Sequence, residues 1–359
     1  MSAVQVANLV QVVSPGALCA AVSETQPLLV VGHKTVKGTN LSIFTLDASG
    51  TPSGVPTAEV ALPTSPALQA INRYPLSMAF HPQLPLLYVW QDIDGPADTG
   101  DPAKNPVYNE FDHLLIFSVR ADGALQLVQS AARGPQFAYK KLNGAILVDA
   151  INQRIFLPNL QDKSIPNPNA TAAAGFYRLD VQGMPAKIPG QTVLTPKMVA
   201  PLVVNAGIGF AAASKDAVVF GVHGGPTVWE FENRRVNASN YYLHNIALCG
   251  VTSNPRYPYV YMVGINTGYL FSMEHVDGFL TLLPQLASLP TVLTSLPVVM
   301  SKQGKVAVGA VNTVYALKLD ANGRLTPEME QTALTNPTVK AMAYSEKLDR
   351  LYVPVEALK

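Results

Sequence analysis

Histidine is the side chain best placed to move protons near neutral pH, and this chain of 359 residues carries six of them. His33, His223 and His244 each stand beside an apolar, strand-like run, where a side chain reaches the end of a β-element, and they are the candidate catalytic bases. His223 also precedes Gly224-Gly225, where the backbone can bend sharply and approach a ligand. Three imidazoles are enough for a metal set in principle, but these come from separate stretches of chain, and no metal is expected. His81, His113 and His275 read as structural. Gln91 with the adjoining Asp92, and Asn159, offer hydrogen-bonding groups at positions equivalent to His33. Arg73 and Lys340 stand just before strands and could meet an anionic group. Glu356 suits a base or a ligand for a cation. For each of these residues the plain alternative is a solvated loop side chain or a satisfied buried one.

The segment from Asp92 to Asp112 is acidic, with Asp94, Asp98, Asp101 and Glu110 against a single Lys104. Oxygen ligands at that density are compatible with calcium, yet the spacing and terminal Glu of a helix-loop-helix calcium site are missing, so a solvated acidic loop is the default and no cofactor is expected. The chain has no G-x-S-x-G elbow, no phosphate-binding P-loop, no dinucleotide glycine fingerprint and no H-E-x-x-H. The two cysteines, Cys19 and Cys249, lie in apolar segments and read as buried thiols, too few for a disulfide framework or a cysteine zinc site. Sequons at Asn40, Asn169 and Asn237 do not by themselves argue for glycosylation.

The elements that must position these residues recur along the chain. An apolar strand, a polar turn and a second apolar strand read AAVSETQPLLVV from Ala20, MAFHPQLPLLYV from Met78 and ILVDAINQRIFL from Ile146. The pattern returns from Phe210, Leu248, Val298 and Ala341, making seven copies. Most copies are followed by a third strand ending in a Gly turn, as in IFTLDASG, IFSVRADG, YRLDVQG, LFSMEHVDG and YALKLDANG, and then by a short fourth strand. Asp-Gly, Asn-Gly and Ser-Gly supply the positive φ that tight hairpins need. The later spacings match the roughly 40–50 residues of one four-stranded propeller blade. The expectation is therefore an all-β, single-domain, seven-bladed β-propeller over residues 1–359, with strand Val4–Val13 completing the last blade and joining the two ends of the chain. Two places beyond the end of the second strand stand His33, Gln91, Asn159, His223, Gly264, Ala310 and Val355. The first four copies are polar there and the last three small or apolar. The same half of the chain carries the two long connections, Ile93–Asp112 and Asp162–Phe176, expected to lie over one face.

The copies MAFHPQLPLLYV and AMAYSEKLDRLYV, with the ADG and ANG turns, resemble seven-bladed propellers of the lactonase-like, YVTN-repeat type. That resemblance implies the propeller fold and, as members of the group include a phosphogluconolactonase and a muconate-lactonising enzyme, a hydrolase or isomerase acting on a lactone. Where lactonase-type repeats often carry Pro-Arg, this chain has Pro75-Leu76 and Pro337-Thr338. The composition agrees with stacked sheets: charged residues are 14%, hydrophobic residues 48% and net charge +1. Inner strands buried on both faces need apolar residues on both sides. The near-zero net charge and the lack of aromatic–basic alternation argue against nucleic acid. No apolar run reaches the ~20 residues of a membrane helix. The segment Met1–Ser14 has no basic or long apolar stretch of a leader type, which points to the cytoplasm. The expected partner is a small polar molecule held at a channel mouth by His33, Gln91, Asn159, His223 and His244; the alternative is a non-catalytic scaffold that binds a protein.

Overall fold

Strands built from Val, Ile, Leu, Tyr and Phe, punctuated by Pro and Gly turns, give a chain without helices among the described residues of this computed structural model. The structure describes residues 8–36, 39–62, 72–94, 107–109, 114–128, 136–138, 146–149, 153–160, 173–186, 193–194, 209–214, 217–222, 225–230, 235–238, 247–254, 256–265, 268–276, 279–289, 298–300, 304–334 and 339–355. They fall into two compact units, Val13–Pro196 and the combination of Met1–Val12 with Lys197–Lys359.

In the first unit, three antiparallel sheets follow one another. The first sheet orders Ala17–Val22, Leu28–Val36, Thr39–Thr45 and Ala58–Val60 side by side in sequence. The second repeats this with Asn72–Phe80, Leu86–Asp94, Leu114–Val119 and Leu125–Val128. The third has Leu147–Asp149, Arg154–Leu160 and Ala173–Leu179, the last paired with both Pro185–Ala186 and Val193–Leu194. The expected long connections are partly strand. Ile93 and Asp94 extend a strand of the second sheet, Val107–Asn109 pairs with Gln136–Ala138 in a separate ribbon, and Ala173–Phe176 opens a strand of the third sheet. Backbone that would be left unpaired in a loop finds ladder partners there.

In the second unit, four-stranded sheets run Gly209–Ser214 to Arg235–Ala238, Ala247–Ser253 to Phe279–Ser288, and Val298–Met300 to Leu325–Ala333 (the fourth, fifth and sixth sheets). The terminal sheet joins both chain ends, as expected from the sequence: Leu9–Val13 lies beside Arg350–Val355, which pairs with Ala343–Ser345. The Leu351 amide donates to the Asn8 carbonyl at 3.0 Å, and Asn8 Nδ2 donates to Asp349 Oδ2 at 3.2 Å. This sheet has three strands among the described residues.

Strand alternation sends successive side chains to opposite faces, and in these sheets both faces are apolar. Val30, Leu28, Leu41 and Ile43 of the first sheet pack on Met78, Leu87, Val89 and Phe117 of the second. The opposite face of the second sheet, with Leu86, Tyr88, Trp90 and Ile116, packs on Ile155, Leu157 and Tyr177 of the third. In the second unit the fifth sheet packs on the sixth through Tyr261 and Val263 against Val306 and Val308. The sixth packs on the terminal sheet through Ala307 and Val314 against Leu351 and Val353. Burying each such side chain contributes about 1.5–3 kcal/mol. The low charge content follows from this packing.

Two turn types recur with the sheets. Between third and fourth strands, Asp47, Asp180 and Asp320 each accept two backbone N–H bonds through Oδ1 from the residues two and four places on, at 2.8–2.9 Å. Gly50, Gly183 and Gly323 close these turns at φ of 79–82°, as Gly123 does at 83° after Arg120. Only a residue without Cβ adopts that conformation cheaply. These turns match the Gly motifs of the sequence, with the fifth-sheet motif ending at Gly278 outside the described residues. The turn of one sheet also receives a tyrosine of the sheet before it. Tyr88 Oη donates to the Gly183 carbonyl at 2.6 Å, and Tyr261 Oη donates to the Gly323 carbonyl. Burial pushes both phenols up, Tyr261 to about 12.

Gly32 shows how closely the first two sheets approach. A Cβ there would lie 2.5 Å from Pro75 Cγ and 2.8 Å from Cys19 Sγ. Gly32→Ala should therefore cost about 1–3 kcal/mol in urea unfolding, whereas Gly54→Ala, with nothing within 4 Å of the new carbon, should be close to neutral; equal effects at the two sites would contradict the packing described.

Candidate functional site

The first strand of three sheets carries one extra residue at the same register. The ladder skips Leu18 between Ala17 and Cys19, Leu76 between Pro75 and Ser77, and Cys249 between Leu248 and Gly250. The residues just before the bulge face His33, Gln91 and Gly264 respectively. These three positions are thus structurally equivalent, as the sequence comparison expected. A bulge bends its strand and re-aims neighbouring side chains, and bulges concentrate near sites.

His33 and Gln91 do not lie on exit loops, because the strands run on to Val36 and Asp94. Both are buried, at 6% and 2% exposure. Gln91, paired with Pro75, shares the face of Leu87 and Val89 that packs on the first sheet. His33 lies on the face of the first sheet opposite Gly32 and Val30. Its Nε2 is 3.3 Å from Ser42 Oγ, itself buried. It also bonds the Pro15 backbone, which can only accept, so the ring donates there. The imidazole and the Ser42 hydroxyl share a hydrogen bond at Nε2. Burial holds His33 below the ordinary histidine range, against the opposing pull of the Pro15 bond and Glu59. Ser42 was not singled out by the sequence; its signal is a hydroxyl flanked by Leu41 and Ile43 in an apolar strand. The Asn40 sequon is spent internally, since the buried Asn40 accepts the Leu62 amide at 2.9 Å through Oδ1.

Beside these residues stands a cation that the sequence reading passed over. Lys34, exposed and next to His33, places Nζ 5.3 Å from the centroid of the buried Tyr74 ring. Such a contact contributes about 0.5–1 kcal/mol at exposed sites. Tyr74 precedes Pro75, the residue that meets Gly32 and pairs with Gln91. His33, Lys34, Tyr74 and Gln91 therefore share one end of the first two sheets. Arg73 and Asp92 occupy adjacent strand positions there, Arg73 opposite Ile93 and Asp92 opposite Tyr74. Asn159 lies in Arg154–Leu160, at a register shift between Leu157 and Leu160. At the equivalent places of the later sheets, Ala310 and Val355 are buried apolar residues. His223, His244, Glu356 and His113 lie outside the described residues, as does most of the acidic segment after Asp94. Lys340 is exposed ahead of the terminal sheet. Among the described residues no three His, Cys, Asp or Glu are grouped to hold a metal ion, and no helix is long and apolar enough to cross a membrane.

His81 has a different task. Its Nδ1 accepts the amides of Gln83 and Leu84 at 3.1 and 3.0 Å, closing the turn between the first two strands of its sheet. Ser23, Asn254 and Ser345 cap the corresponding turns. As an acceptor at Nδ1, the ring is neutral with its proton on Nε2, and burial lowers its pKa.

No family model matches the chain, and no curated protein matches it. Solved structures do. A protein from Lactobacillus plantarum is 13% identical with a TM-score of 0.56, over 89% of this chain and 86% of that one. The periplasmic gluconolactonase PpgL of Pseudomonas aeruginosa is 13% identical with a TM-score of 0.56, over 92% and 96%. A chain of a mitotic checkpoint complex is 11% identical with a TM-score of 0.55, over 98% and 87%. At such identities the likeness speaks for architecture alone, and it gives the chain a β-propeller fold.

The buried imidazoles of His33 and His81 set a pH dependence. Their folded pKa values lie below the unfolded value of 6.5, so the unfolded chain binds protons first as pH falls. Their stabilising contribution is present above that value and is lost as pH drops through it toward the folded values. Denaturation midpoints should accordingly fall on acidification below about pH 6.5. His81→Asn, which installs the cap used at Asn254, should hold stability at neutral pH and weaken the acid loss; an unchanged pH profile would show that His81 does not titrate with folding.

Proposed function

We propose that this chain binds a small polar molecule at the shared end of its first two sheets, and that the molecule is a lactone or the open acid derived from one. The observation that carries the reading is the burial of polar side chains at equivalent bulged registers, His33 and Gln91, where the fifth sheet places Gly264. Burying an amide or imidazole costs free energy that an apolar residue would not, and folds depart from that rule mainly at functional sites. Lys34 over Tyr74 adds a cation and an aromatic ring at the same end. The fold shared with a gluconolactonase suggests the lactone class.

In this reading Gln91, Asp92, Asn159 and Arg73 orient the ligand. His33, bonded to Ser42 and to the Pro15 backbone, positions the strand end. The candidates His223, His244 and Glu356 lie outside the described residues, and the binding reading does not depend on them. Opening a lactone needs water attack and proton transfer only, so no cofactor is invoked. The competing reading is a protein-interaction scaffold.

The deciding variant is Gln91→Leu, which keeps volume while removing the amide. It should keep the native circular dichroism of the wild type, yet bind an aldonolactone at least about tenfold more weakly by calorimetry, the scale of one lost buried hydrogen bond. Wild-type protein that binds no member of a panel of sugar lactones and aldonic acids would overturn the proposal in favour of the scaffold.

A further inference from the structure

The turn of the sixth sheet differs from its counterparts in one chemical respect. The residues before Gly50, Gly123 and Gly183 are Ser49, Asp122 and Gln182, whereas Gly323 follows Asn322. Asn-Gly is the pair most prone to spontaneous cyclisation, because glycine offers no side chain to hinder its own amide nitrogen. Asn322 is exposed to the water the reaction needs. We propose that Asn322–Gly323 is a latent deamidation site that the folded chain holds off through the tyrosines of the preceding sheet.

The chemistry balances without any added oxidant or reductant. The Gly323 nitrogen attacks the side-chain carbonyl carbon of Asn322, its proton passes through water to the departing side-chain nitrogen, the new C–N bond forms as the old one breaks, and ammonia leaves. Water then opens the resulting succinimide at one carbonyl or the other, giving aspartate or isoaspartate. Attack requires the Gly323 N–H to be released and the Asn322 backbone to turn toward its own side chain.

The native turn opposes both movements. The Gly323 amide donates to the Asp320 carbonyl at 3.0 Å, and the Asn322 and Arg324 amides donate to Asp320 Oδ1 at 2.9 and 2.8 Å. Tyr261 Oη holds the Gly323 carbonyl and Tyr257 Oη holds the Ala321 carbonyl. The turn is pressed against those rings: a Cβ on Gly323 would lie 2.6 Å from Tyr257 Cδ2. Reaction therefore proceeds through an opened turn, and its rate reports how often the fifth and sixth sheets release each other there. Once formed, isoaspartate inserts a methylene into the backbone, moves the Gly323 carbonyl from Tyr261 and sets a second carboxylate near Asp320. The modified turn does not re-form.

The test follows deamidation of the peptide containing Asn322 by mass spectrometry during incubation at mildly alkaline pH, with Asn322→Ala confirming the assignment. Native wild type should react more slowly than the same chain in urea. Tyr261→Phe should raise the native rate about fivefold, the population change expected from one lost hydrogen bond. Tyr88→Phe, which removes the equivalent bond in the other unit, should leave it unchanged. If circular dichroism shows Tyr261→Phe unfolded, Tyr257→Phe takes its place with the same expectation. Equal rates for native wild type and the urea-unfolded chain, no acceleration by either tyrosine variant, or equal acceleration by Tyr88→Phe would each overturn the proposal.

Discussion

Face-to-face approach of consecutive sheets is the constraint on which the rest of this molecule depends. A strand such as Leu28–Val36 or Leu86–Asp94 must present apolar side chains on both faces, and its backbone must be paired on both edges. Where the sheets come closest, even one carbon is excluded, as at Gly32 against Pro75. The tyrosines Tyr88 and Tyr261 add direction to this otherwise unspecific packing. Each fills the interface with its ring and finds a partner for its hydroxyl in the Gly carbonyl of the next sheet's turn. The Asp–Gly turn is therefore more than a local reversal. Its aspartate satisfies the turn amides, its glycine reaches a backbone conformation other residues avoid, and its carbonyl registers one sheet on its neighbour.

The same constraint makes the polar residues of the first two sheets informative. In interfaces that select for apolar side chains, His33 needs Ser42 and Pro15 to satisfy its ring, and Asn40 needs the Leu62 amide. These networks raise the cost of change, because deleting one partner strands the other. They also set a neutral histidine, a buried amide and a ring-stacked lysine at one end of adjoining strands. A rigid ladder with a bulge beside it holds such groups more firmly than a loop does.

How much of this was legible in the sequence depends on the physical range of each signal. The repeated strand–turn–strand pattern and the Gly turns are local, and the structure forms Asp47–Gly50, Asp180–Gly183 and Asp320–Gly323 as read. The equivalence of His33, Gln91 and Gly264 also survived, because strand ends and turn lengths fix register over a few residues. The bulges did not show: Leu18, Leu76 and Cys249 look like ordinary members of apolar strands, and only the ladder reveals that they are unpaired. Nor did the burial of His33, since strand length was underestimated and Ser42 lies on a different strand. Lys34 over Tyr74 depends on contact between two sheets, which no single-strand pattern carries.

The most direct test of the account is native-state hydrogen exchange read peptide by peptide. If double-faced burial of the second strands is what holds each unit together, amides of Val30, Val31, Leu87, Tyr88, Tyr261 and Met262 should exchange only through the largest opening of their unit. Their protection should exceed that of the outer strands Ala58–Val60 and Leu125–Val128. Second strands that exchange as fast as those outer strands would contradict the claim that packing between consecutive sheets governs the structure.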